Sequence, residues 1–224
     1  MRPSILFKAC FFLSFSVFLL VTGVVSGQAQ EEFIRAKWVP DGDTLYAQSG
    51  DIYRLQGIDA PETAHDNSQE QFYSSESGKA LWNMVKNKKL SVKGNDLTKD
   101  RYGRYLAKIY LPDKRCVNRV MIRKGLAFYY PHGNSRSTFM RSLLKAQRRA
   151  INSGKGFWPA ILALDDASGV WVGNKNSKRF HSPTCKFGQK TNIANKKTFR
   201  SLREAFLAGY APCRHCTPWP EADN

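Results

Sequence analysis

The chain has 224 residues, of which 24% are charged, 42% are hydrophobic and 12% are aromatic. These proportions exclude a collagen-like or wholly disordered chain, and the length suits one ordinary domain plus a smaller one. Its 35 lysine and arginine residues outnumber 18 aspartate and glutamate residues, giving a net charge of +17. Such an excess favours a polyanionic partner, either nucleic acid or an acidic membrane surface, although it could also serve solubility alone.

The first 29 residues have the layout of a secretory signal peptide. Arg2 and Lys8 form a short basic head, an apolar run follows at 9–25, and small residues at 26–29 suit cleavage. An uncleaved anchor is the alternative, because the apolar run is just long enough to span a bilayer. Since polar residues follow at once without a basic stop-transfer cluster, we expect cleavage, a secreted or periplasmic product and no stable membrane association.

The region that follows is predicted to alternate strands, turns and helices. Strands are favoured where β-branched and aromatic residues lie between turn residues, at 33–39, 44–48, 52–58 and 105–111. A first helical face consists of Ala80, Leu81, Met84 and Val85. Two more helices are predicted, one over 117–124 that ends at Gly125 and one from Ser137 to Gly154. This order favours a small barrel carrying helices over a parallel βαβ sheet.

Two short acidic segments lie beside the predicted strands at 44–48 and 52–58. Asp41 and Asp43 flank a glycine, and alternation sends both side chains to one side of an extended segment. Asp59 and Glu62 follow the strand that carries Arg54. Each segment alone could be a plain turn or loop. Together they place hard oxygen donors at the rim of a sheet, which are the ligands that Ca²⁺ and Mg²⁺ prefer.

Four ordered motifs resemble those of the staphylococcal nuclease (thermonuclease) family over about residues 33–159. They are Val-Pro-Asp-Gly-Asp-Thr at 39–44, Arg-Leu-Gln-Gly-Ile-Asp-Ala-Pro-Glu-Thr at 54–63, Asp-Arg-Tyr-Gly-Arg at 100–104, and Val-Asn at 117–118 with Arg-Lys-Gly-Leu-Ala at 123–127. The resemblance implies a mainly β fold with helices, namely a five-stranded oligonucleotide/oligosaccharide-binding (OB) barrel that carries three α-helices. It also implies a calcium-dependent hydrolase that acts on phosphodiester bonds.

The resemblance further implies roles for individual residues of this sequence. Asp43, Asp59 and the backbone carbonyl of Ala60 would bind Ca²⁺, with Asp41 acting through a water molecule. The phosphate ligands would be Arg54 and Arg104, and the general base would be Glu62. Arg101, Tyr129 and Tyr130 would contact the substrate.

These residue types suit phosphodiester hydrolysis. A carboxylate such as Glu62 can deprotonate a water molecule. Two guanidinium groups suit the extra negative charge of a pentacoordinate phosphate. The alternative is that Arg54 only pairs with Asp59 or Glu62 at the surface, and that Arg104 only follows a Tyr-Gly turn.

Four cysteines remain after the predicted cleavage. Cys116 stands alone, and we expect a buried or idle thiol there. The others form two closely spaced pairs with a histidine, a pattern typical of tetrahedral zinc: His181, Cys185, Cys213 and Cys216. His215 is a rival ligand that we expect to face solvent. A disulfide is the competing interpretation, because an exported chain meets oxidising conditions.

Residues 171–219 resemble the zinc domain of the Ada alkylation-repair family, which implies a small α+β zinc-binding domain. The resemblance rests on His-Ser-Pro-Thr-Cys at 181–185, on Phe199 and Ala205, and on residues 208–218. The family's first ligand is a methyl-accepting cysteine, whereas this chain has His181, so we expect a structural or DNA-contacting module without repair chemistry. Arg200, Arg203 and Arg214 could contact phosphate or form a solvated basic face.

The predicted organisation is a signal peptide (1–29), a nuclease domain (30–160), a linker (161–170), the zinc-binding domain (171–219) and a tail (220–224). The predicted function is that of a secreted, monomeric, calcium-dependent nuclease of low sequence specificity that acts on DNA and/or RNA and carries structural Zn²⁺. A catalytically weak nucleic-acid-binding protein on the same barrel is the alternative. A membrane-anchored form that binds acidic lipids is a third.

Overall fold

The computed structural model describes residues 32–64, 69–93, 98–131, 135–216 and 218–220. These described residues belong to one compact unit. The predicted signal peptide and most of the predicted tail lie outside them. Within the described ranges, every helix is too short or too polar to cross a membrane.

Eight short strands make up the first part of the fold. They are β1 (Glu32–Ile34), β2 (Ala36–Trp38), β3 (Thr44–Ala47), β4 (Ile52–Leu55), β5 (Ile58–Asp59), β6 (Leu90–Lys93), β7 (Tyr105–Tyr110) and β8 (Phe128–Tyr129). Six of them form one sheet in the order β1-β6-β7-β4-β3-β2, and β5 pairs separately with β8. β1 and β2 are the two edge strands of this sheet, and only Arg35 separates them in the chain. The two edges of the sheet therefore lie next to each other at this residue. The predicted mainly β, OB-type fold with helices is confirmed.

Four helices accompany these strands: α1 (Ser74–Val85), α2 (Val117–Arg123), α3 (Thr138–Asn152) and α4 (Trp158–Leu162). The predicted start of α3 is correct, because the hydroxyl of Ser137 accepts a hydrogen bond from the backbone N–H of Met140 at 3.2 Å. Gly125 follows α2 with φ +67°, and a Cβ there would lie 2.1 Å from the carbonyl oxygen of Lys155. That close approach fixes the chain after α2 against the segment that leads into α4.

The C-terminal module is a second, smaller sheet with two helices. Its elements are β9 (Trp171–Asn174), β10 (Arg179–His181), α5 (Lys186–Gln189), β11 (Lys196–Phe199), α6 (Leu202–Leu207) and β12 (Ala211–Pro212). The strand order is β11-β9-β10-β12. The segment predicted as a linker, 161–170, contains the end of α4 and a 3₁₀ turn at Asp165–Ser168, with Ile161 and Ala167 buried. It is therefore packed rather than extended.

The module shares a hydrophobic core with the first part of the fold. Phe128 of β8 stacks on Phe206 of α6 with ring centroids 5.2 Å apart, and Trp158 meets the same ring edge-on at 4.7 Å. Gln147 of α3 is buried and donates to the carbonyl of Phe206 at 2.8 Å while accepting from the N–H of Tyr129 at 2.7 Å. These contacts fix the module beside β5 and β8.

Candidate functional site

Arg54 lies at the centre of the acidic segments because of strand register. Thr44 pairs with Arg54 across β3 and β4, and the N–H of Leu55 donates to the carbonyl of Asp43 at 2.7 Å. The guanidinium of Arg54 therefore contacts the carboxylate of Asp43, and its Nη2 also lies 2.9 Å from Oδ1 of Asp59 at the end of β5. Arg54 is only 2% exposed, so the pairing with Asp59 is a buried one and not the surface ion pair considered above.

The turn at residues 41–43 is held tightly against α1. Oδ1 of Asp41 accepts from the N–H groups of Asp43 at 2.8 Å and Thr44 at 2.7 Å. A Cβ on Gly42 would lie 1.8 Å from Oγ of Ser77, so only glycine fits between the two carboxylates. Asp41 is buried, and this burial raises the pKa of its carboxyl group. The turn thus holds Asp41 and Asp43 in fixed positions.

Ala60 joins the same centre through its backbone. The N–H of Ala60 donates to Oδ2 of Asp43 at 2.6 Å, which links the residue after β5 to the residue before β3. The structure therefore brings together the candidate calcium ligands Asp43, Asp59 and Ala60 from two separate segments.

Arg104 lies at the rim of the same cleft. Its Nε donates to Oδ2 of Asp100 at 2.9 Å, and its Nη2 lies 2.7 Å from the same oxygen. Burial would raise the pKa of Asp100, but the hydrogen bonds from Arg104 outweigh it and lower that pKa. Arg101 is exposed and donates to the hydroxyl of Tyr102 at 2.6 Å. Tyr102 lines the cleft although the sequence analysis gave it no role.

Glu62 lies at the mouth of the cleft with its side chain 26% exposed. Its N–H is held by Oε1 of Gln71 at 2.8 Å. Burial raises the pKa of Glu62. Its Oε1 is 2.5 Å from Nη2 of Arg214, a residue of the C-terminal module.

The residues Asp43, Arg54, Asp59 and Glu62 form a nuclease-like centre. Two arginines of the C-terminal module reach this centre. Nη2 of Arg214 lies 2.6 Å from Oδ1 of Asp59, and Nη1 of Arg179 lies 2.5 Å from Oδ2 of Asp59. With Arg54, three guanidinium groups surround this one carboxylate. Burial would raise the pKa of Asp59, but Arg179, Arg214 and Arg54 outweigh it and lower the pKa well below its ordinary value. Arg214 was predicted only as one of three candidate phosphate contacts, and Arg179 was not predicted to belong to the site.

The two candidate substrate tyrosines have different environments. Tyr129 is 2% exposed and belongs to the hydrophobic core, and burial raises its pKa to about 12. The expectation that Tyr129 contacts substrate is therefore corrected, because its side chain faces the core. Tyr130 lines the cleft, and the guanidinium of Arg179 lies 3.9 Å from its ring centroid.

A separate cluster is formed by His181, Cys185, Cys213 and Cys216, whose donor atoms all lie within 4.8 Å of one another. Parallel pairing of β10 with β12 places Phe180 opposite Pro212, which brings His181 beside Cys213. Nδ1 of His181 is 3.6 Å from Sγ of Cys185. Cys116, Cys185 and Cys216 carry free thiols, and Cys116 is buried as expected.

The environment of the cluster suits metal-bound thiolates. The N–H groups of Ser182 and His215 donate to Sγ of Cys216 and Cys213, each at 3.4 Å. The hydrogen bond between them lowers the pKa of Cys213 and raises that of Cys216. The ring of His215 packs edge-on against Phe187 at 5.3 Å and lies outside the cluster, as expected.

Among the described residues, the His/Cys cluster is the one group with three or more such donors within 4.8 Å. The carboxylates of the nuclease-like centre are instead held by arginines. Their oxygens are of the hard type that Ca²⁺ and Mg²⁺ prefer, and one guanidinium, that of Arg54, joins Asp43 to Asp59.

Comparisons with known proteins agree with a chain made of a nuclease-like part and a C-terminal module with a His/Cys cluster. The family model described as "Staphylococcal nuclease homologue" matches residues 53–160, and the model "Metal binding domain of Ada" matches residues 157–219. A thermonuclease of Staphylococcus hyicus is 30% identical over 136 residues, which cover 58% of this chain and 78% of that protein. An uncharacterized endonuclease of Escherichia coli O157:H7 is 32% identical over 123 residues, with 54% of this chain and 72% of that protein covered.

A third relative matches a longer stretch of this chain. Endonuclease YhcR of Bacillus subtilis (strain 168) is 27% identical over 197 residues, which cover 77% of this chain and 16% of that protein. The match to the S. hyicus thermonuclease covers most of that relative. This chain therefore belongs to the staphylococcal nuclease family.

Proposed function

We propose that this protein is an exported, monomeric, calcium-dependent nuclease that hydrolyses phosphodiester bonds of DNA and/or RNA with low sequence specificity. The observation that carries the proposal is the convergence of Asp43, Arg54, Asp59, Glu62 and Arg104 on one cleft, although they belong to four separate segments. Relatives named thermonuclease and endonuclease support the same activity. The net charge of +17 supports a polyanionic substrate.

The protein's own residues account for most of the chemistry. Glu62 acts as general base, since its raised pKa makes it a better proton acceptor than an exposed glutamate. Arg54 and Arg104 bind the phosphate from the floor and the rim of the cleft and stabilise the charge that develops in the transition state. Asp41 holds the turn that positions Asp43.

Asp43, Asp59 and the carbonyl of Ala60 would hold Ca²⁺, which supplies Lewis-acid polarisation of a phosphoryl oxygen when bound. His181, Cys185, Cys213 and Cys216 would hold a structural Zn²⁺ in tetrahedral coordination. A histidine in place of a nucleophilic thiolate gives this second site a structural role.

The test is cleavage of single- and double-stranded DNA and of RNA by the purified protein, with Ca²⁺, with Mg²⁺ and with a chelator. We expect cleavage with Ca²⁺ that is lost with chelator and that weakens as salt rises. Glu62→Gln should reduce the rate by about 10²-fold or more. Its matched control is Glu76→Gln, which alters an exposed acidic residue in the first turn of α1 and should cleave as the parent does.

The alternative of a binding module makes a different prediction. Folded protein that binds DNA yet cleaves no substrate under any of these conditions would contradict the nuclease proposal and support the binding module. Export is tested separately by mass spectrometry of the secreted protein, which should begin near residue 30. A product that retains residues 1–29 would contradict cleavage of the signal peptide.

A further inference from the structure

Arg214 connects the C-terminal module to the reacting part of the nuclease centre. It lies between two ligands of the His/Cys cluster, Cys213 and Cys216, and its Nη2 contacts both Asp59 at 2.6 Å and Glu62 at 2.5 Å. It lines the cleft together with Arg54 and Arg104. A guanidinium at this place belongs to the nuclease centre as much as to the module.

The position of Arg214 is built into the fold. The turn at 213–216 follows β12, which pairs with β10, and the N–H of Cys213 donates to the carbonyl of Phe180 at 2.9 Å. The module as a whole is fixed by the stack of Phe206 on Phe128. The backbone of Arg214 is thus anchored, while its side chain remains 51% exposed and has room to change partners.

Both partners of Arg214 have other tasks in the proposed reaction. Arg214 competes with a cation for Oδ1 of Asp59, an oxygen that Arg54 also contacts. Glu62 cannot accept a proton from water through an oxygen that Arg214 occupies. Arg54 and Arg179 also contact Asp59, but Arg54 is buried and Arg179 is held by the carbonyl of Pro212 at 2.7 Å, whereas the side chain of Arg214 is half exposed. Arg214 must therefore leave both carboxylates when the centre is active.

The charge of the cleft indicates where Arg214 goes. Among the described residues, the cleft is lined by five arginines and five carboxylates, whose formal charges cancel: Arg54, Arg101, Arg104, Arg179 and Arg214 against Asp41, Asp43, Asp59, Glu62 and Asp100. A divalent cation would raise the formal charge of this set to about +2. A released Arg214 adds nothing to that sum but is left without a carboxylate partner at the mouth. The group that compensates both is the anionic backbone of the substrate.

We propose that Arg214 is a substrate-positioning residue of the nuclease centre, which binds a phosphate of the nucleic acid in the active state and Asp59 and Glu62 in the resting state. The proposal rests on the proposed nuclease function. It makes the C-terminal module part of the active site. The Cys-Arg-His-Cys turn at 213–216 then positions Arg214 beside the substrate.

The test compares Arg214→Ala and Arg214→Lys with the parent, and uses Lys190→Ala, an exposed cation of the same module, as the matched control. Cleavage rates against DNA concentration at saturating Ca²⁺ give KM and kcat. We expect Arg214→Ala to raise KM about tenfold, as loss of a charge-assisted phosphate contact should, and Arg214→Lys to restore part of it. Lys190→Ala should change KM less than twofold.

A second measurement uses no substrate. Titration calorimetry of Ca²⁺ into each variant should show tighter binding by Arg214→Ala than by the parent, because a competitor for Asp59 has been removed. A residue that only supports the fold would not raise KM and tighten Ca²⁺ binding at once. One equivalent of zinc in each variant shows that the module has remained intact.

The outcomes separate this proposal from the one on which it rests. A parent protein that does not cleave contradicts the nuclease function itself. If the parent cleaves while Arg214→Ala keeps its KM or cleaves faster, the nuclease function stands and Arg214 is an inhibitory counterion instead. Unchanged or weaker Ca²⁺ binding by Arg214→Ala would contradict the exchange of partners.

Discussion

The two clusters of titratable side chains in this protein are assembled in opposite ways. The His/Cys cluster comes from one short stretch of chain, and its four donor groups face one another within 4.8 Å. The nuclease centre takes side chains from Asp41 through Arg214, and each of its buried carboxylates is compensated by arginines or backbone N–H groups. The first cluster is closed around one point, whereas the second is open at a cleft and has its carboxylates paired with arginines.

Because they are assembled differently, the His/Cys cluster should contribute mainly to stability and the nuclease centre mainly to activity. A closed set of soft donors binds a metal with a favourable free energy. Such binding stabilises a module that is too small to bury a large hydrophobic core of its own. An open set of buried charges costs free energy to assemble, because each ion loses its hydration. In the proposed function, that cost falls where a phosphate and a cation bind. Substitutions in the two clusters should therefore have different consequences.

The largest effect should follow from opening the closed cluster. Cys213→Ser removes one of four ligands, so we expect bound zinc well below one equivalent and a loss of more than about 4 kcal/mol in the free energy of unfolding of the module. The measurements are metal content and chemical denaturation of the reduced protein. Cys116→Ser alters a thiol outside the cluster and should keep one equivalent of zinc. Full zinc content in Cys213→Ser would show that this thiol is not a ligand.

A substitution in the nuclease centre should instead reduce cleavage and leave stability almost unchanged. Arg104→Ala removes a partly exposed guanidinium from the rim, so we expect cleavage to fall by about 10²- to 10³-fold while the melting temperature stays within a few degrees. Arg115→Ala is the matched control, because Arg115 forms a similar pair with Asp113 at the exposed surface. Equal loss of cleavage in both variants would contradict a specific role for Arg104.

The positions of most of these residues could be predicted from local sequence. The hairpin of β3 and β4 places Arg54 beside Asp43 by register alone, and the short spacing of the His/Cys pairs brings their donors together once β10 and β12 pair. Both relations depend on short separations along the chain, where a motif specifies geometry. The same reason explains why Ser137 could be identified as the residue that caps α3.

The arginines of the module could not be predicted in the same way. Arg179 and Arg214 reach Asp59 only because Phe206 and Trp158 fix the module against β8, and no spacing within the chain encodes that docking. The sequence before His181 gave one weak signal, since an arginine two residues from a ligand lies on the same side of a strand as that ligand. Docking, not motif spacing, joins the two clusters.

Gln147 provides a test of that docking with a moderate effect. Gln147→Leu leaves the carbonyl of Phe206 and the N–H of Tyr129 without their buried partner, so we expect a loss of about 1–3 kcal/mol in the free energy of unfolding. Chemical denaturation measures it. Lys145→Leu, on the exposed face of the same helix, is the control and should change stability by less than about 0.5 kcal/mol. A variant as stable as the parent would show that the aromatic core alone holds the module.

The smallest effect concerns two adjacent tyrosines, Tyr129 at the end of β8 and Tyr130 directly after it, because successive residues of an extended chain point to opposite sides. Tyr129 is in the core and Tyr130 lines the cleft beside Arg179. Tyr129→Phe keeps the buried ring, so we expect KM for DNA to change less than twofold, whereas Tyr130→Ala should raise KM by about two- to tenfold through loss of a stacking surface. Steady-state kinetics on one oligonucleotide measure both. If Tyr129→Phe raised KM more than Tyr130→Ala, the inward-facing assignment of Tyr129 would be wrong, and β8 would present its other face to the substrate.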